Sequence, residues 1–141
     1  MISFLSENIA APDIDQELVR NWIAHTAESY GKKLGDISYI FCDDKRILEV
    51  NRQFLGHDYY TDIITFDYTH RDTISGDLFI SIDTVSSNAA LLNVDYAQEL
   101  LRVIIHGILH LCGINDKGPG EREIMEAAEN RALQTIRAWQ S

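Results

Sequence analysis

"DYAQELLRVIIHGILHLCG", residues 95–113, is the stretch on which the fold turns. Its apolar run from Leu100 to Cys112 is broken only by Arg102, His106, Gly107 and His110. It is too long for a buried strand and too short to span a bilayer, so it predicts a central helix. Asp95 stands where an N-cap is needed, and Gly113 stands where the left-handed residue after a helix belongs.

The rest of the chain is organised around that helix. "ISFLSE" near the start alternates weakly and predicts an opening strand. "DIDQELVRNWIAHTAESYG" (13–31) predicts a helix capped by Asp13 or Asp15 and stopped by Gly31, with Ile14, Leu18, Trp22 and Ile23 near helical spacing. "GDISYIFCD" (35–43) predicts a strand, and "DKRILEVNRQFLG" (44–56) a helix closed by its glycine. "TDIITFDYT" (61–69) and "ISGDLFISID" (74–83) are rich in β-branched and aromatic residues and predict paired strands. A short helix over 83–92 and an amphipathic one over 121–139 complete the pattern. Interleaved strands and helices imply an α+β fold, a small mixed sheet of about four strands packed with helices, over one domain spanning 1–141.

Composition narrows the function. The 141 residues are 45% hydrophobic and 24% charged, as in a globular protein. No segment is apolar enough for a membrane span, so no membrane partner is expected. The first residues lack the basic and apolar regions of a signal peptide. Cys42 and Cys112 fit neither a disulfide framework nor a CxxC pair. These features predict a cytoplasmic protein. The net charge of −10 argues against non-specific binding to phosphate backbones, so a nucleic-acid role needs a local basic patch or a metal ion.

His106 and His110 supply the second possibility. Four residues apart, they lie about 40° apart around a helix and one turn along it, so both imidazoles can reach one point. Gly113 lets the chain turn, and Asp116 can return a carboxylate to the same point. Two nitrogens and one oxygen leave an open position for water, as in a catalytic zinc site. The plainer alternative is a pair of partly buried histidines bonded to backbone carbonyls, but such apolar flanks make polar groups without partners costly. Cys112 lies about 240° round the helix from His106 and suits core packing. Gly107 follows His106 where the zinc peptidases carry their glutamate, which removes the main support for a peptidase.

"HGILHLCGIND" (106–116) resembles the HGxLHLxG signature of the YbeY family, single-strand-specific, metal-dependent endoribonucleases that mature ribosomal RNA. "VNRQFLGHDYYTDIITFDY" (50–68) resembles that family's LNxxyRxxdxpTDVLSFp segment, and "SGDLFIS" (75–81) its GDI[VC]IS strand. Order and spacing match over residues 44–116. The resemblance implies that His106, His110 and Asp116 hold one Zn2+ per chain and carry catalysis. It also implies single-stranded RNA, ribosomal RNA above all, as substrate, with the 16S rRNA 3′ end and ribosome quality control as its setting. The small ribosomal subunit or its assembly factors are then partners, and no DNA is expected.

The chain departs from the family pattern at three positions. Asp116 stands where the family usually carries a third histidine, which should make the metal less Lewis acidic and the site less selective for soft metals. Asn115 stands where an aspartate is usual. Leu55 stands where the family carries an arginine that lies near the metal. Arg52, one turn earlier on the same predicted helix, is the leading replacement and counts with the catalytic residues; His57, Arg71 and Lys117 follow.

Other positions stay open. Asp62 either orients a metal-bound histidine or, with Thr61, only forms the turn into a strand. Asp77 has the same two readings. His25 and His70 read as surface residues, Phe66, Tyr68 and Phe79 as strand core, and "GEREIMEAAEN" (120–130) as the solvated face of the last helix. Two other functions compete with RNA cleavage: a metal-dependent hydrolase of another substrate, and a non-catalytic, metal-bearing ribosome assembly factor.

Overall fold

The computed structural model describes residues 1–57 and 61–140. Positions 58–60 of the family-like segment lie outside the described residues. Among the described residues four strands, β1 (Ile2–Ser6), β2 (Lys33–Cys42), β3 (Ile63–Asp67) and β4 (Thr73–Ser81), form one sheet in the order β1-β2-β4-β3. β1 and β4 both run parallel to β2, whereas β3 pairs antiparallel with β4. The expected α+β architecture with a small mixed sheet is therefore what the chain adopts.

Among the described residues five α-helices accompany the sheet: α1 (Gln16–Ser29), α2 (Asp44–Val50), α3 (Ile82–Leu92), α4 (Tyr96–Leu111) and α5 (Glu121–Gln140). Asp15, not Asp13, caps α1, its Oδ1 accepting from the Leu18 amide at 3.1 Å. The single helix expected over 44–56 is α-helical only to Val50. A π-helical turn covers Asn51–Leu55 and ends at Gly56 with φ +67°. That widened turn changes which side chains share a face, so a residue such as Arg52 is not placed by α-helical spacing from Leu55.

Strand β4 shows why α4 is central. Ile74, Gly76, Leu78 and Ile80 alternate onto one buried face, as a period of two requires. That face shares the main core with Trp22 and Ile23 of α1, Leu100, Ile104 and Ile108 of α4, and Leu133 and Ile136 of α5. The Tyr39 hydroxyl donates to the Ile104 carbonyl at 2.8 Å, and Trp22 Nε1 to the Ala132 carbonyl at 2.8 Å, so both large polar-tipped rings are satisfied inside the core. A second, smaller cluster joins Cys42, Ile47, Val50 and Ile64, with Phe66 and Phe79 against it. Tyr68 does not join them. It lies just beyond β3, is exposed, and its hydroxyl donates to Asp77 at 3.4 Å. No described helix is long and apolar enough to cross a membrane.

Candidate metal and RNA-cleavage site

The site forms where α4 ends. Gly113 adopts φ +99°, and the Ile114 amide reaches back to the Leu109 carbonyl at 3.1 Å. A left-handed residue here lets the chain fold back over the last helical turn. Asp116 is thereby returned to His106, with its Oδ2 3.4 Å from His106 Nε2. Two donors of one tetrahedral zinc ion, each about 2.0–2.2 Å from it, lie about 3.3–3.6 Å apart, so the spacing suits neighbouring ligands.

The other nitrogen of the same ring is engaged from α5. His106 Nδ1 lies 2.7 Å from Glu129 Oε2. Glu129 Oε1 accepts from Arg102 Nη1 at 3.0 Å, and Arg102 Nε donates to Glu99 Oε1 at 2.8 Å. Arg102 Nη2 closes a bidentate pair with Glu99 Oε2. Glu99 and Glu129 are only 1% and 3% exposed, which an unpaired carboxylate could not tolerate. Burial disfavours the charged form of His106, but the hydrogen bond and charge of Glu129, with Asp116 and Asp62, outweigh it and raise its pKa. For Glu129, burial is likewise outweighed, by hydrogen bonds from His106 and Arg102, and its pKa is lowered.

These residues line a cleft of about 660 Å³ between α3, α4 and α5. Asp62 lines it too, and burial raises the Asp62 pKa despite the opposing influence of His106 and Arg102. Asp62 thus forms the bend before β3 and also faces the site, while its carbonyl accepts from the Ser81 amide at 2.9 Å. Carboxylates outnumber cations in the lining: Asp62, Glu99, Asp116, Glu126 and Glu129 face Arg102 and Arg122. Arg102 is already spent on Glu99 and Glu129. Arg122, exposed on the first turn of α5, is the remaining arginine of the lining among the described residues.

His106 and Asp116 are therefore brought together. His110, one turn further along α4, is half-buried and does not line the cleft. Among the described residues no three His, Cys, Asp or Glu side chains converge as a metal site would require. Arg52 is exposed on the π-helical turn, and neither it nor His57, Arg71 or Lys117 lines the cleft. Asp77 meets Tyr68 instead of the site. His25 and His70 are exposed, as expected.

Sequence reasoning missed Glu99, Arg102 and Glu129, and "GEREIMEAAEN" is more than a solvated face. The signal was present. Glu99, Arg102 and His106 recur at spacings of three and four, so they form one polar row along an apolar helix. Glu129 falls inside the stripe of Met125, Ala128, Ala132, Leu133 and Ile136 that α5 buries. A charge inside a buried stripe implies a buried partner.

The model of the family described as endoribonuclease YbeY matches residues 2–137. A relative from Parabacteroides distasonis, named endoribonuclease YbeY, is 68% identical over 132 residues, 94% of this chain and 93% of its own length. Relatives of the same name from Bacteroides thetaiotaomicron and Porphyromonas gingivalis are 64% and 54% identical, covering 94% and 96% of this chain and 96% and 90% of their own. The solution structure of a Thermotoga maritima protein superposes with a TM-score of 0.69 at 28% identity, over 99% of this chain and 92% of that one. Across sequence, length and fold, the chain belongs to the endoribonuclease YbeY family.

Proposed function

We propose that residues 1–141 act as a single-domain, metal-dependent endoribonuclease that cleaves single-stranded RNA. The relatives named endoribonuclease support RNA cleavage, and the observation that carries the metal reading is the 3.4 Å approach of His106 Nε2 to Asp116 Oδ2 beside the cleft. His106, Asp116 and His110 would hold the ion, with His110 adding the third donor from one helical turn away. Two imidazoles and a carboxylate favour zinc. When bound, the ion would polarise a phosphoryl oxygen and lower the pKa of a nearby water.

The chain's own residues do the rest. Glu129 takes up His106 Nδ1, so the ring cannot turn freely. Arg122 offers the phosphate a guanidinium at the cleft, a role assigned to Arg52 from sequence alone. The excess of carboxylates over arginines makes phosphate docking unfavourable until a divalent cation offsets it, so RNA binding should depend on metal. Ribosomal RNA, at the 16S 3′ end and in ribosome quality control, is the proposed target. With so little basic surface, the small ribosomal subunit or an assembly factor would supply much of the specificity. The two buried free cysteines suit the reducing cytoplasm.

The test is cleavage of end-labelled single-stranded RNA by wild type and His110→Ala, prepared identically, with and without chelator. Cleavage abolished by both changes supports the reading. Equal cleavage by both proteins means a contaminating nuclease and ends it. One observation favours a second reading, a non-catalytic assembly factor: the net charge of −10 suits basic ribosomal proteins better than free RNA. In that case neither protein cleaves, although wild type still binds metal.

A further inference from the structure

A neutral imidazole carries one proton, and only its other nitrogen can ligate a metal. Which nitrogen of His106 is available is therefore decided by whatever faces the opposite side of the ring. Here that neighbour is a carboxylate: Glu129 Oε2 lies 2.7 Å from Nδ1, and an ionised carboxylate only accepts. Asp116 also turns a carboxylate to the ring, but its Oδ2 lies 3.4 Å from Nε2 and makes no hydrogen bond with it, so the single proton of the neutral ring belongs on Nδ1 and the lone pair of Nε2 is left directed towards Asp116.

We propose that Glu129 is a positioning residue that fixes the tautomer of His106 for metal binding, and that Arg102, anchored by Glu99, holds Glu129 to that task. The inference rests on the reading of His106 as a metal ligand. Arg102 is pinned through two of its nitrogens to Glu99 and presents a third, Nη1, to Glu129 Oε1 at 3.0 Å. Glu129 is thus fixed at both oxygens. A purely structural role explains this arrangement less well. The α4–α5 contact already buries Met125, Ala128, Leu133 and Ile136, and buried ion pairs contribute less to stability than apolar packing of the same volume. What the carboxylate adds is a fixed direction for one ring nitrogen.

The arrangement makes Glu129→Gln a sharp test. Arg102 donates to the Oε1 position, so the amide oxygen of the glutamine is held there and its NH2 group faces His106. An NH2 group donates, which moves the ring proton to Nε2 and blocks the metal-facing nitrogen. Long-range 15N–1H correlation on the metal-free proteins, at a pH where the ring is neutral, should show the proton on Nδ1 in wild type and in Glu129→Asp, and on Nε2 in Glu129→Gln. Zinc affinity, measured by competition with a chromophoric chelator, should fall about 10- to 100-fold in Glu129→Gln and largely recover in Glu129→Asp. A wild-type ring protonated on Nε2 overturns the proposal even if the glutamine variant does not fold. Wild-type zinc affinity in a folded Glu129→Gln protein overturns it as well. Equal zinc binding by wild type and His106→Ala would instead refute the ligand reading beneath it.

Discussion

Gly107 packs so closely on Leu78 that a β-carbon on the glycine would sit 2.1 Å from Leu78 Cδ2, and 3.0 Å from Ile63 Cδ1. The glycine after the first histidine is therefore what allows α4 to lie on β3 and β4 and bring His106 to the sheet's end. Alanine would gain about 1 kcal/mol of helix propensity. Leu78 is fully buried, however, and overpacking such a core costs about 1–3 kcal/mol. Gly107→Ala should thus be net destabilising or near neutral at best, with a lower urea midpoint. It should also weaken zinc binding as α4 moves away from the sheet. A clearly stabilised variant would show that the packing is looser than these distances state.

The metal-free protein should be sensitive to pH at the same site. His106 has a raised pKa, so its contribution is fully present below its unfolded value of about 6.5 and is lost as pH rises through the folded value. Glu129 has a lowered pKa, so its contribution is present above about 4.5 and lost as pH falls through the folded value. Between those unfolded values the pair contributes most. Urea titrations in chelator should show the largest stability difference between wild type and His106→Ala in mildly acidic solution, shrinking towards alkaline pH. A difference that grew with pH would contradict the ion pair.

The two thiols should be inert until the fold opens. Burial first, then the charges of Asp43 and Glu7, push the Cys42 pKa up to about 12, and burial pushes Cys112 up to about 11. Thiolate is the reactive form, so native protein at about pH 8 should resist iodoacetamide, and both sites should label together on unfolding in urea. Because the folded values are raised, the neutral thiols contribute stability below their ordinary value of 9.0, and this is lost as pH rises towards the folded values. Rapid labelling of Cys112 alone in the native state would mean that the end of α4 opens locally.

Much of this arrangement was legible in the residues, and what was not has physical reasons. The apolar run of α4 and the β-branched β3 and β4 declared themselves because their periodicity is set by burial, which composition carries directly. Asp116 was legible because Gly113 announces a left-handed turn. The π-helical turn at Asn51–Leu55 was not, since widening a helix by one residue leaves no mark in hydrophobic spacing. Tyr68 was misplaced in the core because strand alternation was carried one residue past the end of β3 at Asp67. Glu129 sits inside the buried stripe of α5, which signals a buried partner but not which one, because His106 and Arg102 lie 23 and 27 residues away across a helix–helix contact.

Asp116 separates a catalytic metal from a structural one. It is partly exposed, with a side chain about one-third accessible, and its pairing with His106 in the metal-free protein resembles surface ion pairs worth about 0–1 kcal/mol. Asp116→Asn should therefore shift the urea midpoint of the metal-free protein little. If the metal is catalytic, the same change should lower RNA turnover by at least about 100-fold, because losing a ligand exceeds the 10- to 100-fold typical of losing a ligand's outer partner. If the metal is structural, the signature moves to stability: zinc raises the wild-type midpoint by an amount set by RT ln(1 + [L]/Kd), and the variant loses that increment. Measuring both quantities on the same preparations, with and without zinc, decides between them. Turnover lost while the zinc-free midpoint is kept supports the endoribonuclease reading. Turnover unchanged in a fully folded variant would remove Asp116 from the site and leave the third donor of the proposed metal site unassigned.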